Sequence, residues 1–346
     1  MSQPFKRALG PFDATMIVIG GIIGSGIFIN PYIVAQRLDS STLVIGAWVA
    51  GAAIALIGAL AYSELGAMLP TAGGQYVYLR DAYHPLVAFL YGWALLFMIE
   101  SGAMAAVAMT FAEYAVRLVT DQRQASALVG PGGIRAVAIG AIVYVTINVA
   151  YLKAVGLGGL AASTTPASDS ARLLFGAAGD RFVTAAIAIS TFGFLNLCVL
   201  APTRVYYAMA ADRAFFPQVA KLHPKYQTPS LAIVLQSAWA IALTLTGSYG
   251  QLLDYVVFAD WIFFGLTVGS FFIFRRTMPD AVRPFRAWGY PVTPALFVLA
   301  AIAIVLSVIR VSPMQSAIRA LLMLAGVPAF YYWTTSAKAT AVKKRS

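Results

Sequence analysis

The chain has 346 residues, of which 60% are hydrophobic and only 11% are charged. Soluble domains carry about 25% charged residues, so this composition excludes a water-soluble enzyme. The net charge is +11, but the Lys and Arg residues lie mostly between apolar runs and in the C-terminal tail, which indicates a lipid bilayer and not nucleic acid as the partner. One cysteine and two histidines give no basis for a disulfide framework or a metal centre, and no cofactor is predicted.

The apolar runs predict an all-α, polytopic helical membrane protein with about nine transmembrane helices. Each run can cross a hydrocarbon layer of about 30 Å as a helix, and none shows the strict alternation of barrel strands. No cleavable signal peptide is expected, because the first run has no small-residue cleavage site. The predicted spans are residues 15–38, 43–69, 85–119, 134–152, 182–209, 229–246, 252–274, 291–309 and 317–333. The polar insert 161–181 is predicted to be a loop, and residues 334–346 a frayed cytoplasmic tail.

Positive charges in the loops restrict how many spans can separate them, because two cytoplasmic segments must be separated by an even number of crossings. Lys6 and Arg7 predict a cytoplasmic N-terminus, and the basic segments around Arg213 and Arg275 are predicted to be cytoplasmic as well. An even number of crossings must then separate the N-terminus from Arg213, whereas the apolar runs supply five. Either one run does not span, or an odd number of helices is missing relative to a parent architecture.

The first predicted span contains the segment with the clearest ligand chemistry. Glycines at positions 20, 21, 24 and 26 weaken the helix there. Main-chain groups freed at mid-membrane must line a cavity or meet a ligand. Freed N–H groups suit a carboxylate and freed carbonyls suit an ammonium group, so one break fits both ends of an amino acid. The alternative is helix packing through Gly20 and Gly24, a small-xxx-small pair.

Four polar residues in other spans are further candidates for a site. Glu100 and Asp260 are candidates for a pocket or ion-coupling role, because carboxylates in lipid are costly; a structural hydrogen bond is the alternative. Ser190 and Asn196 either contact substrate or join neighbouring helices, as hydroxyl and amide groups in membranes commonly do. Glu64 lies near a span end and is expected to be solvated or to cap a helix.

Ordered motifs along most of the chain carry a family resemblance. They are residues 21–28, the segment 61–65 followed by 70–80, Tyr91-Gly92-Trp93, Arg204 with 206–210, Phe216-Pro217, His223-Pro224, Thr228-Pro229, Arg283-Pro284-Phe285-Arg286 and Trp288-Gly289-Tyr290-Pro291. In these motifs the chain resembles amino acid permeases of the amino acid–polyamine–organocation (APC) superfamily. The resemblance favours the ligand-binding interpretation of the glycine cluster over simple packing.

The resemblance implies an inverted-repeat (LeuT-like) transporter fold that is incomplete here. The family has about twelve helices, and residues 134–142 resemble the start of its fourth helix. Residues 144–152 and 156–159 resemble the end of its seventh, while no counterpart of the fifth or of the broken sixth is found. We therefore expect one transmembrane domain over residues 1–346 with an internal deletion joined near residues 141–144. A loss of three crossings accounts for the parity conflict.

The resemblance also implies a site. The substrate carboxylate is expected at the N–H groups of Ser25, Gly26 and Ile27, and the ammonium group at the carbonyls of Ile22 and Ile23, with Gly24 between them. The family places the helix of Ser190 and Asn196 beside the substrate.

The expected function is secondary active transport of amino acids or related amines, by alternating access across the plasma (inner) membrane. Proton coupling or substrate exchange is expected, with a proton as one candidate partner, and an enzyme is not expected, since no paired acid/base or metal constellation occurs. The oligomeric state is left open. The alternative is a non-transporting membrane remnant or scaffold, or a dimer that completes the site in trans, because the second half of the substrate site is missing. An ion channel is disfavoured, since no charged ring or pore-loop pattern occurs.

Overall fold

A computed structural model describes residues 26–71, 73–108, 133–246 and 249–343, and within these ranges all regular structure is helical. The sequence is rich in apolar side chains. In lipid, a single segment satisfies its own backbone hydrogen bonds by forming a helix. The α-helices are α1 Gly26–Arg37, α2 Ser41–Met68, α3 Gln75–Ala82, α4 Pro85–Ala94, α5 Gly133–Ala162, α6 Pro166–Leu200, α7 Pro202–Ala211, α8 Ser230–Thr246, α9 Tyr249–Thr277, α10 Val292–Val311, α11 Pro313–Leu324 and α12 Gly326–Lys343. A π-helical turn, Leu95–Ile99, follows α4, and a 3-10 turn covers Pro217–Ala220.

Seven helical segments in the described ranges are long and apolar enough to cross a membrane, which confirms a polytopic helical membrane protein. They are Ser41–Met68, Pro85–Ala108, Ile142–Ala162, Pro166–Ala211, Leu252–Thr277, Val292–Val311 and Pro313–Thr335, with Ser230–Leu245 as a shorter apolar helix. Most of the first predicted span lies outside the described residues, so the count of nine stays a prediction. The last helix reaches Lys343, inside the predicted tail.

The prediction of a loop over residues 161–181 is wrong, because α6 begins at Pro166. The polar residues that suggested a loop instead form the helix start. Proline suits the first helical turn, where its missing N–H is not needed. Ser163 Oγ donates to the carboxylate of Asp169 and accepts from the N–H of Thr165 (3.2 Å), so the side chains close the first turn. Gly176, with φ +68°, marks a kink farther along α6.

The predicted deletion junction near residues 141–144 falls inside α5, which continues through it as helix. The backbone departs from helical geometry later, at Gly156, where φ is +70°. Glycine adopts this left-handed conformation without the steric penalty of a side chain. A kinked helix therefore occupies the stretch where we expect parts of two family helices to be joined.

The chain divides into two compact units. The first comprises the described residues between 60 and 105 and between 198 and 343, and contains a large apolar core. Its centre is the span Pro85–Ala108, the most enclosed of the seven candidate spans. Gly92 lets α4 approach α7 closely, since a Cβ there would lie 2.0 Å from Met209 Sδ. The core of this unit is therefore built around α4 and the turn after it.

The second unit comprises the described residues 26–59, 106–108 and 133–197. Its described core is smaller and joins α1, α5 and α6 through buried residues such as Ala35, Tyr151, Leu160 and Ile187. Gln36 Nε2 donates to the Ala161 carbonyl (2.9 Å), which ties the end of α1 to the end of α5.

A buried ion cluster holds the first unit together, and we call Glu64, Arg275 and Arg283 the Glu64 cluster. Glu64 is only 1% exposed. Its carboxylate meets Arg275 Nη2 at 2.8 Å and Arg283 Nε at 3.2 Å, and it accepts from the N–H of Ala287 at 2.7 Å. The expectation that Glu64 is solvated or caps a helix is therefore wrong, since two guanidinium groups and a backbone N–H replace water around it.

Arg283 also closes the C-terminus of α9. Its two Nη atoms donate to four carbonyls, those of Phe274, Met278, Pro279 and Ala281. The Nε atom of Arg283 pairs with the Glu64 carboxylate, so all three guanidinium nitrogens of Arg283 have partners. A cation at a helix C-terminus satisfies carbonyls that lack intrahelical partners and opposes the negative end of the helix dipole.

Candidate functional site

The residues predicted to bind substrate at the glycine cluster are described only in part. Ile22, Ile23, Gly24 and Ser25 lie outside the described residues. Gly26 and Ile27 form the first described turn of α1, in the second unit, where Ile27 is fully buried. A Cβ on Gly26 would lie 3.2 Å from Asn30 Nδ2, which is a tight contact. Whether the helix is broken before Gly26 stays a prediction.

Ser190 and Asn196 lie on α6 and also belong to the second unit, and the side chain of Asn196 is outside the described part of the structure. Ser190 is partly exposed, and the neighbouring Thr191 is buried. The Thr191 hydroxyl donates to the carbonyls of Ile187 (2.9 Å) and Ala188 (3.0 Å) within its own helix. This hydroxyl therefore serves its own helix, and the substrate role of its neighbour Ser190 stays a prediction.

Glu100 and Asp260 both lie in the first unit, on the spans Pro85–Ala108 and Leu252–Thr277. Both side chains are partly buried. Cys198 is a hydrogen-bonding partner of Glu100, so a buried thiol lies beside this carboxylate.

A π-helical turn presents Glu100. The N–H of Glu100 donates to the Leu95 carbonyl, five residues back, and the Ser101 hydroxyl donates to the Leu96 carbonyl at 2.5 Å. Such a turn inserts one extra residue into an α-helix and rotates the residues beyond it, and π turns occur frequently at functional sites. The side chain of Glu100 is therefore placed by a local irregularity that apolar periodicity does not reveal.

Glu100 lines a cavity of about 350 Å³, which we call the Glu100 cavity. Its walls come from the start of α3, from α4 with its π turn, and from the junction of α6 and α7. The lining residues are Thr71, Gly73, Gly74, Gln75, Tyr91, Leu95, Glu100, Ala201, Pro202, Arg204 and Val205. Asp260 does not line it, so the structure places one of the two predicted carboxylates at this cavity.

A helix break forms one wall of the Glu100 cavity. Pro202 has no N–H to donate to the Cys198 carbonyl four residues earlier, and α6 ends at Leu200 while α7 begins at Pro202. Gln236 Nε2 supplies the missing bond, donating to the Cys198 carbonyl at 2.7 Å. The guanidinium group of Arg204 donates to the Leu200 carbonyl. Side chains thus replace the backbone bonds that the proline removes.

The start of α3, the facing wall element, is anchored through its own side chains. Tyr76, only 1% exposed, donates to Asp212 Oδ2 (3.0 Å), and Arg80 Nη1 lies 2.7 Å from the same oxygen. The carboxylates of Asp81 and Asp212 raise the pKa of Arg80, and burial together with Asp212 raises the pKa of Tyr76. Tyr76 therefore remains a donor and Arg80 a cation throughout the physiological pH range.

Several residues of this cavity were not among the sequence-predicted site residues. Gln75 carries a buried Nε2 with no hydrogen-bond partner in the part of the chain that the structure describes. The signal for the wall at Pro202 was a proline within an otherwise continuous apolar run, which breaks a helix. Gln75 lies within the family motif 70–80 but was not singled out there, and no sequence signal marks Gln236.

The helical spans define a multi-pass membrane protein, and polar groups buried among such spans commonly mark substrate or ion pathways. The sequence profile of the family described as Amino acid permease matches residues 9–130 and 108–328. The chain therefore belongs to the amino acid permease family, which confirms the resemblance and assigns it to the transporters and not to the enzymes.

Relatives extend over nearly the whole chain. The Serine/threonine exchanger SteT of Bacillus subtilis (strain 168) is 24% identical over 427 positions, covering 94% of this chain and 96% of the relative. The human Cystine/glutamate transporter is 26% identical, covering 94% and 85%. The human Large neutral amino acids transporter small subunit 2 is 24% identical, covering 95% and 81%.

These alignments are longer than the chain itself. The aligned 94% of 346 residues is about 325, so in the 427-position alignment with SteT about 100 positions hold no residue of this chain. In the 432-position alignment with the human Cystine/glutamate transporter, about 107 positions hold no residue of this chain. The family profile also matches in two pieces that overlap at residues 108–130.

Proposed function

We propose that this protein is a secondary transporter of amino acids that works by alternating access across the plasma (inner) membrane, with its N-terminus in the cytoplasm. The observation that carries the proposal is the family match over residues 9–328 together with relatives that are amino acid transporters. The Lys and Arg distribution supports the orientation.

In this proposal the substrate occupies the glycine cluster. Its carboxylate meets the N–H groups at Ser25, Gly26 and Ile27, and its ammonium group meets the carbonyls of Ile22 and Ile23. Helix termini inside a membrane suit such charges because their main-chain dipoles are unpaired. The helix that carries Ser190 and Asn196 flanks the substrate.

Glu100 and Asp260 serve proton coupling in the proposal. The two side chains are partly buried carboxylates on membrane spans. Carboxylates at this depth are retained for ion or proton pathways more often than for packing. The Glu100→Gln variant should lose uptake driven by a pH gradient while keeping uptake driven by substrate exchange.

We further propose an internal deletion of about 100 residues, joined near residues 141–144. The surplus of alignment positions in each relative supports a deletion of this size. Since about 20 residues plus a short loop make one crossing, 100 residues correspond to three or more helices. A loss of three crossings also accounts for the parity conflict between the basic loops.

The deletion favours a second candidate function, a membrane protein that folds but does not transport. The helices proposed to be absent are the fifth and the broken sixth, and the latter supplies the other wall of the family site. A chain with half a site would act as a scaffold, or would need a partner to complete the pocket.

Uptake into liposomes separates the two candidates. The purified chain is reconstituted and uptake of radiolabelled L-serine is compared with that of Gly26→Val. The matched control is Gly46→Val, at a helical glycine whose Cβ would meet nothing within 4 Å. Transport through the glycine cluster predicts uptake by the wild type and Gly46→Val and a loss of tenfold or more in Gly26→Val. Equal uptake in all three and in empty liposomes would leave the non-transporting candidate.

A further inference from the structure

The Glu100 cavity shares no residue with the proposed glycine-cluster site. None of its lining residues comes from residues 22–27, and all of them belong to the first unit, whereas Gly26 and Ile27 belong to the second. A cavity in a membrane protein that holds charged groups needs an occupant or water to satisfy them.

One wall of the cavity favours a negative charge. Helix α3 begins there, and its N-cap residue Gly74 contributes no side-chain hydrogen bond to the first turn. Gly73 and Gly74 have φ of +113° and +48°, and the cavity is lined by both. The buried Nε2 of Gln75 has no partner among the described residues, and Arg204 adds a cation to the lining. The N–H groups of Tyr76 and Val77 already donate to the carbonyls of Gly73 and Gly74, so the donors that suit a carboxylate on this wall are the Gln75 amide and the Arg204 guanidinium group.

Another wall favours a positive charge. Glu100 lines the cavity from the π turn, and the thiol of Cys198 is its hydrogen-bonding partner. An ionised carboxylate has about four acceptor positions, so one thiol leaves room for an ammonium group. Tyr91 and Thr71 add hydroxyl groups to the lining.

The remaining lining is apolar, from Leu95, Ala201, Pro202 and Val205. A volume of about 350 Å³ lies within the range of small-molecule pockets, about 300–1,000 Å³, and is ample for a single amino acid. Apolar contacts beside the two charged walls suit an uncharged side chain of small or medium size.

We infer that the Glu100 cavity is a second amino acid site, which binds a neutral zwitterion with its ammonium group on Glu100 and its carboxylate at the side chains of Gln75 and Arg204. The inference takes its ligand class from the proposed function. It does not need transport, because binding to this site is a property of the first unit alone.

The test is equilibrium binding of radiolabelled L-serine to the full purified chain in detergent, in the Gly26→Val background, where the glycine-cluster site is blocked. We expect residual saturable binding that Glu100→Gln weakens tenfold or more and Gln75→Leu severalfold. Gly46→Val, as the matched control, should bind like its parent. Competition with unlabelled L-serine should be strong, whereas L-serinamide, which lacks the carboxylate, and 3-hydroxypropionate, which lacks the ammonium group, should compete at least tenfold less well.

Two results would overturn the inference: loss of all saturable binding in Gly26→Val, or residual binding that neither Glu100→Gln nor Gln75→Leu changes. The two substitutions lie on different elements, so a folding defect in one leaves the other as the deciding variant, with size-exclusion profiles as the check. Failure of the proposed function has a different signature. In that case liposome uptake is absent while binding that depends on Glu100 persists.

Discussion

Two glutamates in the same unit show how environment separates a structural carboxylate from a site carboxylate. Glu64 is 1% exposed, and its oxygens are occupied by Arg275, Arg283 and the N–H of Ala287. Glu100 lines a cavity, with the Cys198 thiol as its hydrogen-bonding partner. Both are acids in or beside apolar spans, and only their partners distinguish them.

The Glu64 cluster gains little from a ligand, because its acceptors are already used. Its role is to fix the end of α2 to the end of α9 and to the loop that contains Ala287. Buried donors without a partner among the described residues occur at both places, on Gln75 and on Arg275 Nε. The difference is that the oxygens of Glu64 are occupied by two guanidinium groups and a backbone N–H.

The largest expected effect tests this contrast directly. Glu64→Gln removes the charge that holds two arginines, and breaking a buried pair costs about 3–5 kcal/mol. The matched substitution Glu100→Gln removes a carboxylate whose partner is a thiol and not a pair of guanidinium groups, so its effect on stability should be less than about 1 kcal/mol. Thermal unfolding of both variants in detergent measures the difference. Equal losses of stability would contradict the assignment of Glu64 as structural and Glu100 as a site residue.

A second prediction concerns the packing that sets the cavity wall. Gly92→Ala places a Cβ 2.0 Å from Met209 Sδ, which forces α4 or the methionine to shift. Overpacking of this kind costs about 1–3 kcal/mol. Met209 is buried, and Met209→Ala alone should cost about 2–5 kcal/mol, but Gly92→Ala introduced into that background should add little, because the clashing sulfur is gone. Gly46→Ala, where a Cβ meets nothing within 4 Å, should be neutral or slightly stabilising. Denaturation midpoints of the two single alanine variants at glycine, of Met209→Ala and of the double variant check these differences; a Gly92→Ala variant as stable as wild type would show that α4 and α7 are not tightly packed.

The helices could be predicted from the sequence because membrane spans need only length and apolar composition, as in Ser41–Met68 and Val292–Val311. The start of α6 was missed although its signals were present. Ser163, Pro166 and Asp169 suggest a loop when taken as polar residues, but in position they form an N-terminal cap. Proline at the first helical position and Asp169 in the first turn together indicate a helix start.

The Glu64 cluster could not be predicted, because 211 residues separate Glu64 from Arg275 and no periodicity links them. The family resemblance included the motif that contains Arg283 but gave no physical reason for that residue. The structure supplies the reason, because Arg283 donates hydrogen bonds to carbonyls at the end of α9. Glu100 could be singled out as a buried acid on residue type alone, but the π turn that aims it and the Gln75 donor depend on tertiary packing. The glycine cluster at residues 22–25 remains a prediction.

A third prediction sharpens the account of the cavity's broken wall. Gln236→Leu removes the donor to the Cys198 carbonyl, a loss of about 1 kcal/mol. In a Pro202→Ala background the new backbone N–H at position 202 can supply that bond, so Gln236→Leu should then have little effect. A double-mutant cycle in unfolding free energy should give a coupling of about 1 kcal/mol. Additive effects would mean that Gln236 is not a replacement for the bond that proline removes.

The smallest expected effect lies at the other end of α3 from the cavity. Tyr83 donates to the Leu266 carbonyl at 2.8 Å, and burial raises the pKa of Tyr83 to about 12. Tyr83→Phe should cost about 0.5–1 kcal/mol at neutral pH. Because the folded state favours the neutral phenol, this contribution is complete below pH 10, the unperturbed pKa of tyrosine, and is lost as the pH rises through about 12.

The stability difference between wild type and Tyr83→Phe should therefore shrink above pH 10 and change sign as the phenolate forms beside the carbonyl. Denaturant unfolding of both proteins at pH 8 and pH 11 measures that difference while other tyrosines titrate equally in the two. A difference that stays constant with pH would mean that Tyr83 does not donate to Leu266. Among the described side-chain contacts of α3, those of Tyr76 and Arg80 with Asp212 would then remain. The position of the start of α3 in the Glu100 cavity would depend on the Asp212 carboxylate.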